Sequence, residues 1–392
     1  MFTFWKKCVI LFVVIIMPVV SVKNKDDMKK YESFVEENDF GNIMQSIEWS
    51  KLKQDWEHEV VFLYNENTDE IIGSALVLLR KIPIINSYIA YIPRGPILNQ
   101  YNKKNMKRMV DEILLLKEKY NIFLIRFDPR IESSKELQNE FKGIFKIRGE
   151  NFSTKRNINP RLNMIIDLNS KETIEEIFKT FSKSTKLNIK KAKRLGCVVE
   201  DVTGEVGLKE FYSLHEVTGK RDNFIVRPYQ YFETMYKLFG KDGKFRILRV
   251  KCDGKVFGSI ILLSSGNTMW YYAGASSNFQ GKYKANYLLQ MYAMNLSKEM
   301  GYRFYDMGGV YSEDYKVDPL YIFKHGFCRA TTHFIGELDY PCNKFKYLLY
   351  NLFEILRGIS SCIKNKIKKL TYKNKHMHKD IEQLEDYSFN SK

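Results

Sequence analysis

Residues 245–273, FRILRVKCDGKVFGSIILLSSGNTMWYYA, hold three β-rich runs, Phe245 to Val250, Val256 to Ser264 and Thr268 to Ala273, which read as a meander. Ala285 to Met300 follows with a helical pattern, and Arg303 to Met307 with another strand. A similar order stands earlier in the chain. Val60 to Tyr64 and Ile71 to Arg80 flank the turn-forming Asn65-Glu66-Asn67 and predict a hairpin. Asn105 to Tyr120 is helical, with Met106, Met109, Val110, Ile113 and Leu114 on one face, and Asn121 to Phe127 is an apolar strand. Between these blocks Asn163 to Leu168 predicts a strand and Asn169 a helix cap, with Glu172 placed for a capping box. A further helix runs from about Ser182 to a glycine stop at Gly196. The pattern is α+β in two halves of similar element order. It holds no heptad stretch long enough for a coiled-coil insertion, and no low-complexity linker separates the halves.

At 392 residues the chain is too long for one small module. Its 44% hydrophobic content, with 27 Phe and 25 Tyr, fills sizeable cores and excludes general disorder. Lys and Arg number 63 against 46 acids, a balance of +17 that suits polyanionic partners: nucleic acid, phosphorylated metabolites or an anionic membrane. The six cysteines form no CxxC pair and the six histidines no HExxH, so the spacing predicts no metal site, no disulfide framework and a reducing cytoplasm.

Both termini carry separate signals. Lys6 and Lys7 precede an apolar run, Cys8 to Val22, which is short for a membrane span and contains Pro18. It reads as translation upstream of a true start at Met28, as a short membrane anchor, or as a signal peptide, in that order. At the other end Phe345, Leu348, Leu349, Leu352, Phe353, Leu356, Ile359, Ile363, Ile367 and Leu370 recur at helical spacing among many lysines. This basic amphipathic helix either packs its stripe on the body or docks on anionic lipid headgroups.

Four internal motifs carry chemistry. Lys179, Lys183, Lys186, Lys190 and Lys193 follow at steps of four, three, four and three, one face of a helix. Solvated faces normally mix signs, so contact with a phosphate backbone is the preferred reading over a merely solvated stripe. Arg227 precedes Pro228, with Tyr231 at a helix start, and its planar fork suits phosphate, carboxylate or a structural salt bridge. Trp270-Tyr271-Tyr272-Ala273-Gly274 fits core packing or the wall of a cleft. Lys324, enclosed by Tyr321, Ile322, Phe323 and Phe327, is costly without an anionic partner and suits stabilising an oxyanion. No GxSxG, Ser/His/Asp order or P-loop is present. Gln280-Gly281-Lys282-Tyr283-Lys284-Ala285 stands where an acyl-CoA N-acyltransferase of the GNAT type needs its pyrophosphate loop, but the glycine is misplaced.

Taken together, Gln45-Ser46-Ile47-Glu48-Trp49-Ser50-Lys51-Leu52-Lys53, Tyr91-Ile92-Pro93-Arg94-Gly95-Pro96, Arg126-Phe127-Asp128-Pro129, Pro160-Arg161-Leu162-Asn163-Met164, Asp306-Met307-Gly308-Gly309-Val310 and Phe323-Lys324-His325 resemble the FemABX family. These are aminoacyltransferases that build peptidoglycan interpeptide bridges. The resemblance covers roughly Met28 to Tyr340. It implies two GNAT-like domains around a shared cleft, of the compact FemX type. Expected boundaries are an extension at 1–27, domain 1 at 28–161 plus about 336–345, domain 2 at 162–335, and the basic helix and tail at 346–392.

The resemblance further implies transfer from aminoacyl-tRNA, with no other cofactor, to the stem-peptide side-chain amine of UDP-MurNAc-pentapeptide or lipid II. The expected place of work is the cytoplasmic face of the plasma membrane. Lys53, Arg227, Tyr231 and Tyr272 match acceptor-binding positions, Asp128 a carboxylate near the peptide with the catalytic role of orienting the attacking ammonium, and Lys324 the catalytic lysine that steadies the reaction's charge. The Lys179 to Lys193 stripe is the expected tRNA contact. Phe123 stands where the compact type carries a tyrosine, which implies a lost hydroxyl contact to the acceptor. The competing readings are an acyl-CoA-dependent GNAT transferase and a non-catalytic membrane-surface binder of tRNA or precursor.

Overall fold

The computed structural model describes residues 19–20, 25–148, 157–278, 280–314 and 316–356. Two mixed β-sheets organise the chain into two α+β halves. The first sheet takes β1 (Val19–Val20), β2 (Glu57–Tyr64), β3 (Ile71–Ile82), β4 (Ser87–Ile92), β5 (Ile97–Leu98), β6 (Ile122–Phe127) and β7 (Lys146–Ile147). The second takes β8 (Leu162–Asp167), β9 (Val198–Asp201), β10 (Phe245–Cys252), β11 (Lys255–Ser265), β12 (Thr268–Ser276), β13 (Phe304–Val310) and β14 (Thr332–His333). The chain then returns to the first sheet as β15 (Leu338–Pro341), which inserts between β6 and β7.

The hairpin forms where the turn residues place it, β2 and β3 pairing from Glu57↔Leu79 to Tyr64↔Ile71. The meander forms as β10, β11 and β12, antiparallel throughout. Alternation fails as a guide to its faces because both sides of β11 are covered, Phe257 to Ser265 being buried without a break. On the helix Lys103–Leu114, Met106, Met109, Val110 and Ile113 are buried at steps of three and four, against the first sheet. A separate apolar core joins the halves. It combines Tyr31, Trp49, Phe62 and Leu78 with Phe211, Phe232, Ile247 and Leu263, so the two sheets are held by packing rather than by a linker.

Several local expectations shift. The capping box is made by Thr173 and Glu176 at the start of the helix Ile174–Thr180, while Asn169 sits in a one-turn 3₁₀ segment capped by Asp167. Both arrangements offer the same spacing, and the structure uses the later one. The lysine stripe is divided between two helices. Ile174–Thr180 ends at Phe181, and Ser182 caps Lys183–Arg194 by accepting from the Thr185 amide. Gly196 ends that segment at φ +72°.

Cys197 and Cys252 are joined as a disulfide, against the expectation drawn from scattered cysteines. Val198 pairs with Lys251 across β9 and β10, so Cys197 and Cys252 become cross-strand neighbours although 55 positions apart. Cys328 and Cys342 are free.

Residues 1–18, 21–24 and 357–392, which include most of the apolar N-terminal run and the distal part of the basic stripe, lie outside the described residues. Val19 and Val20 pair with Val61 and Val60 at the edge of the first sheet. Among the described residues no helix is long and apolar enough to cross a membrane.

Candidate active site

The site begins with two parallel strands that part. β12 and β13 pair only over Thr268↔Phe304, Met269↔Tyr305 and Trp270↔Asp306. Beyond that point their chains diverge, and the gap opens into a cleft of about 870 Å³ between Tyr271–Ser276 on one wall and Met307–Gly309 on the other. In the first sheet β4 and β6 stay paired to Ile92↔Phe127, and the Asp128 amide donates onward to Ile92 O and Gly95 O. The corresponding gap there is closed.

Lys324 sits in the cleft wall on the helix Pro319–His325, which Asp318 caps by accepting from the Leu320 amide. Its ammonium donates to Gly309 O at 2.7 Å and is otherwise enclosed, 7% exposed. Burial lowers its pKa to about 8, against the opposing pull of Asp306 and Asp318. Gly308 beside it holds φ +77°, a left-handed conformation that favours glycine. Asp306 fixes the turn by accepting from the Gly308 amide at 2.7 Å.

The acceptor-binding candidates converge as one cluster. Lys53 lies 5.8 Å from the Tyr231 ring centroid and Arg227 4.6 Å from it, so two cations share one aromatic ring. Lys53 also lies 5.6 Å from the ring of Trp49. Burial, and then the neighbouring Arg227 charge, lower the Lys53 pKa to about 8. Among the described residues neither cation is in an ion pair, so an anion would relieve their mutual repulsion. Tyr272 links this cluster to the cleft: its hydroxyl donates to the Tyr231 hydroxyl at 3.1 Å, while its ring meets Trp270 edge-on at 5.0 Å. Trp270, Tyr271 and Tyr272 all line the cleft and also pack on apolar cores, Tyr271 on that of the second sheet and Trp270 and Tyr272 on the one joining the halves, so the segment is both core and wall.

Asp128 is placed differently from its sequence expectation. It is buried, 1% exposed, behind the cleft wall. It accepts from Asn159 Nδ2 at 2.6 Å and from the Tyr91 hydroxyl at 3.4 Å, and faces Arg94 at 3.6 Å. Burial raises its pKa despite those three partners. Arg94 and Asn159 line the cleft; Asp128 reaches it only through them. Arg130, like Asn159, is a residue that sequence reasoning missed. It spans the halves to Thr268 at 3.2 Å and Asp306 at 3.4 Å, and its one sequence signal was its place directly after Asp128-Pro129.

Phe123 corrects a second expectation. It is fully buried with Ile89, Leu124 and Tyr347 and packs against Tyr350 at 5.5 Å, so its ring belongs to a core and not to the cleft. Lys179, Lys183, Lys190 and Lys193 are exposed and Lys186 half-buried, outside the cleft lining, and among the described residues none of them is in an ion pair. The opposite side of their helix, Thr185, Ile189 and Ala192, is buried. Gln280–Tyr283 forms one helical turn, and Lys284 enters the helix Ala285–Glu299 at φ +57°.

The FemAB family model matches residues 27–256 and 250–355. The chain belongs to the FemAB family. Against this FemAB protein, the UDP-N-acetylmuramoylpentapeptide-lysine N(6)-alanyltransferase of Weissella viridescens is 29% identical over 329 residues, covering 82% of this chain and 96% of the relative. The lipid II:glycine glycyltransferase of Staphylococcus aureus (strain MRSA252) is 24% identical over 396 residues, covering 82% and 93%. The crystal structure of FemX superposes with a TM-score of 0.74 at 23% identity, over 82% of this chain and 98% of that one. The last likeness shows the shared fold.

Proposed function

We propose that this protein moves an amino acid from aminoacyl-tRNA to the side-chain amine of the stem peptide of a peptidoglycan precursor, UDP-MurNAc-pentapeptide or lipid II, and so builds the interpeptide bridge. Family membership and the activities of both relatives support the reaction class. The observation that carries it is the junction at Tyr272: an unpaired cation cluster fit for a diphosphate on one side, and a cleft with a buried lysine on the other.

The acceptor amine nitrogen bonds to the aminoacyl ester carbon and the carbonyl oxygen becomes an oxyanion. Collapse breaks the ester C–O bond, and the terminal ribose hydroxyl leaves with the proton the amine has lost. The atoms balance without ATP or another cofactor. Lys324 donates to the oxyanion, a charge-assisted bond strengthened by its enclosed surroundings. Lys53 and Arg227 clamp the diphosphate, with Tyr231 and Tyr272 beneath it, so catalysis rests mainly on positioning. Asp128 acts through Arg94 and Asn159, whose orientation it fixes, and is a positioning residue rather than a base. Lys183, Lys190 and Lys193, with Lys179 and Lys186 beside them, take the tRNA backbone. The protein works peripherally at the inner face of the plasma membrane.

Mass spectrometry of both precursors after incubation with the protein and a pool of charged tRNAs tests this directly. A single-residue mass gain is expected. No gain on either precursor, with acetyl-CoA turnover in the absence of tRNA, would replace this reading by the acyl-CoA one.

A further inference from the structure

The helix at 344–356 carries its apolar face outward. Its inner side is anchored by polar and aromatic contacts: the Tyr347 hydroxyl donates to Asp339 at 3.0 Å, Tyr350 packs on Phe123, and Glu354 pairs with Arg148 at 3.1 Å. Lys346 reaches across to Ser87 Oγ at 2.6 Å. The outer side shows Phe345, Leu348, Leu349, Leu352, Phe353 and Leu356, spaced three, one, three, one and three apart and each between 37 and 69% exposed. Beside it the turn Pro83–Ile85 adds Ile84, 74% exposed, while its neighbours Ile82 and Ile85 pack into the same small core as Tyr347 and Tyr350. Scattered exposed leucines need no explanation, but a continuous stripe of them on a firmly docked helix marks an interaction surface.

We propose that this face docks on an anionic lipid bilayer. The sequence beyond it continues the same stripe in register, through Ile359, Ile363, Ile367 and Leu370. From Ile355 through Lys379 there are eight lysines and arginines and no acid. A second copy of this chain would bring the same positive stripe against itself, in a protein already at +17. The chain's own tail is equally basic and extends the stripe instead of complementing it. A bilayer containing anionic lipid takes both features at once, burying the apolar side chains at the headgroup boundary while lysines reach its phosphates. The FemAB match ends at residue 355, so the distal stripe is additional to the matched region. This deepens the proposed function, resting on it for purpose alone, since a lipid-linked acceptor lies at such a surface.

The test is flotation of the full chain with vesicles of phosphatidylcholine alone and of phosphatidylcholine mixed with phosphatidylglycerol, for the native protein and for Leu348→Glu/Leu352→Glu. Both substituted positions face solvent, so the fold is kept, which circular dichroism checks. Native protein is expected on the phosphatidylglycerol vesicles only, and the variant to bind them roughly tenfold or more weakly. Transfer to soluble UDP-MurNAc-pentapeptide should be the same for both. Equal flotation of variant and native protein overturns the proposal, as does failure of the native protein to bind phosphatidylglycerol vesicles. A native dimer in sedimentation that the variant disperses, without vesicle binding, assigns the face to self-association instead. Loss of transfer with vesicle binding intact would sink the proposed reaction and leave this surface standing.

Discussion

The Tyr272 hydroxyl donates to the Tyr231 hydroxyl across 3.1 Å, and that contact joins the cation cluster to the cleft. Tyr272 is held from behind by Trp270, and Tyr231 lies under Arg227. If the junction orders the acceptor, Tyr272→Phe removes one hydrogen bond and leaves the rings in place. Acceptor affinity should fall by about 0.5–1.5 kcal/mol, roughly two- to tenfold, with little change in melting temperature. Unchanged affinity by calorimetry would show that the hydroxyl pair serves packing alone.

Lys53 predicts a proton-linked binding step. In the free protein its pKa is lowered to about 8 by burial and by Arg227. A bound diphosphate replaces repulsion by attraction and raises that pKa, so at pH 8 binding should take up about half a proton. The sign follows for affinity, which is greatest below pH 8 and weakens as rising pH discharges the free lysine. Calorimetry in buffers of different ionisation heat measures the uptake. Lys53→Met should abolish it, and a native protein that takes up none at pH 8 would exclude Lys53 from the diphosphate contact.

Lys324 predicts a loss of rate at high pH. Its ammonium form is the oxyanion donor, and burial lowers its pKa to about 8. The turnover number, corrected for the rising fraction of free acceptor amine, should therefore decline as pH passes through about 8. Lys324→Met should depress kcat by about 10²–10³ with a smaller effect on acceptor affinity. Turnover of the Met variant at the native level would remove the oxyanion role.

Much of this was legible in the sequence because local chemistry carried it. Asn65-Glu66-Asn67 and the β-rich runs marked the hairpin and the meander, and the family motifs brought Lys53, Arg227, Tyr231 and Tyr272 to one cluster. What was lost depends on neighbours far apart in the chain. Cys197 meets Cys252 only through the β9–β10 ladder, and Arg130 meets Asp306 only because the two halves pack together. Asp128 matches a motif carboxylate near the peptide, but sequence gives a residue's place on a motif and not that it stands buried behind the wall. Phe123 was misread for the same reason. Regular spacing also concealed the break at Phe181–Ser182, where the four-three lysine rhythm crosses a cap.

The divided lysine stripe still predicts a salt signature. Lys183, Lys190 and Lys193 are exposed on one helix whose opposite side is buried, so neutralising them should not disturb the core. If each contacts one tRNA phosphate, the triple glutamine variant should lower the slope of log affinity against log salt by about 2–3. Acceptor binding should be unchanged. An unaltered slope in filter binding with charged tRNA would make this face solvated rather than functional.

The cross-strand disulfide predicts a redox-sensitive melting point. Joining Cys197 to Cys252 closes a loop across 55 positions, and loop-closure entropy of that size corresponds to ~4 kcal/mol against the open chain. Among the described residues the remaining cysteines, Cys328 and Cys342, are free, so one bond accounts for any effect there. Cys197 ends the turn after the Lys183–Arg194 helix and Cys252 ends β10, so the bond ties the lysine-bearing segment to the second sheet. Reductant should lower the melting temperature of the native protein and leave Cys197→Ala/Cys252→Ala, already less stable, unmoved. Mass spectrometry of alkylated, unreduced protein should find neither Cys197 nor Cys252 alkylated. Free thiols at both positions, with melting indifferent to reductant, would show that the two cysteines pack side by side without bonding.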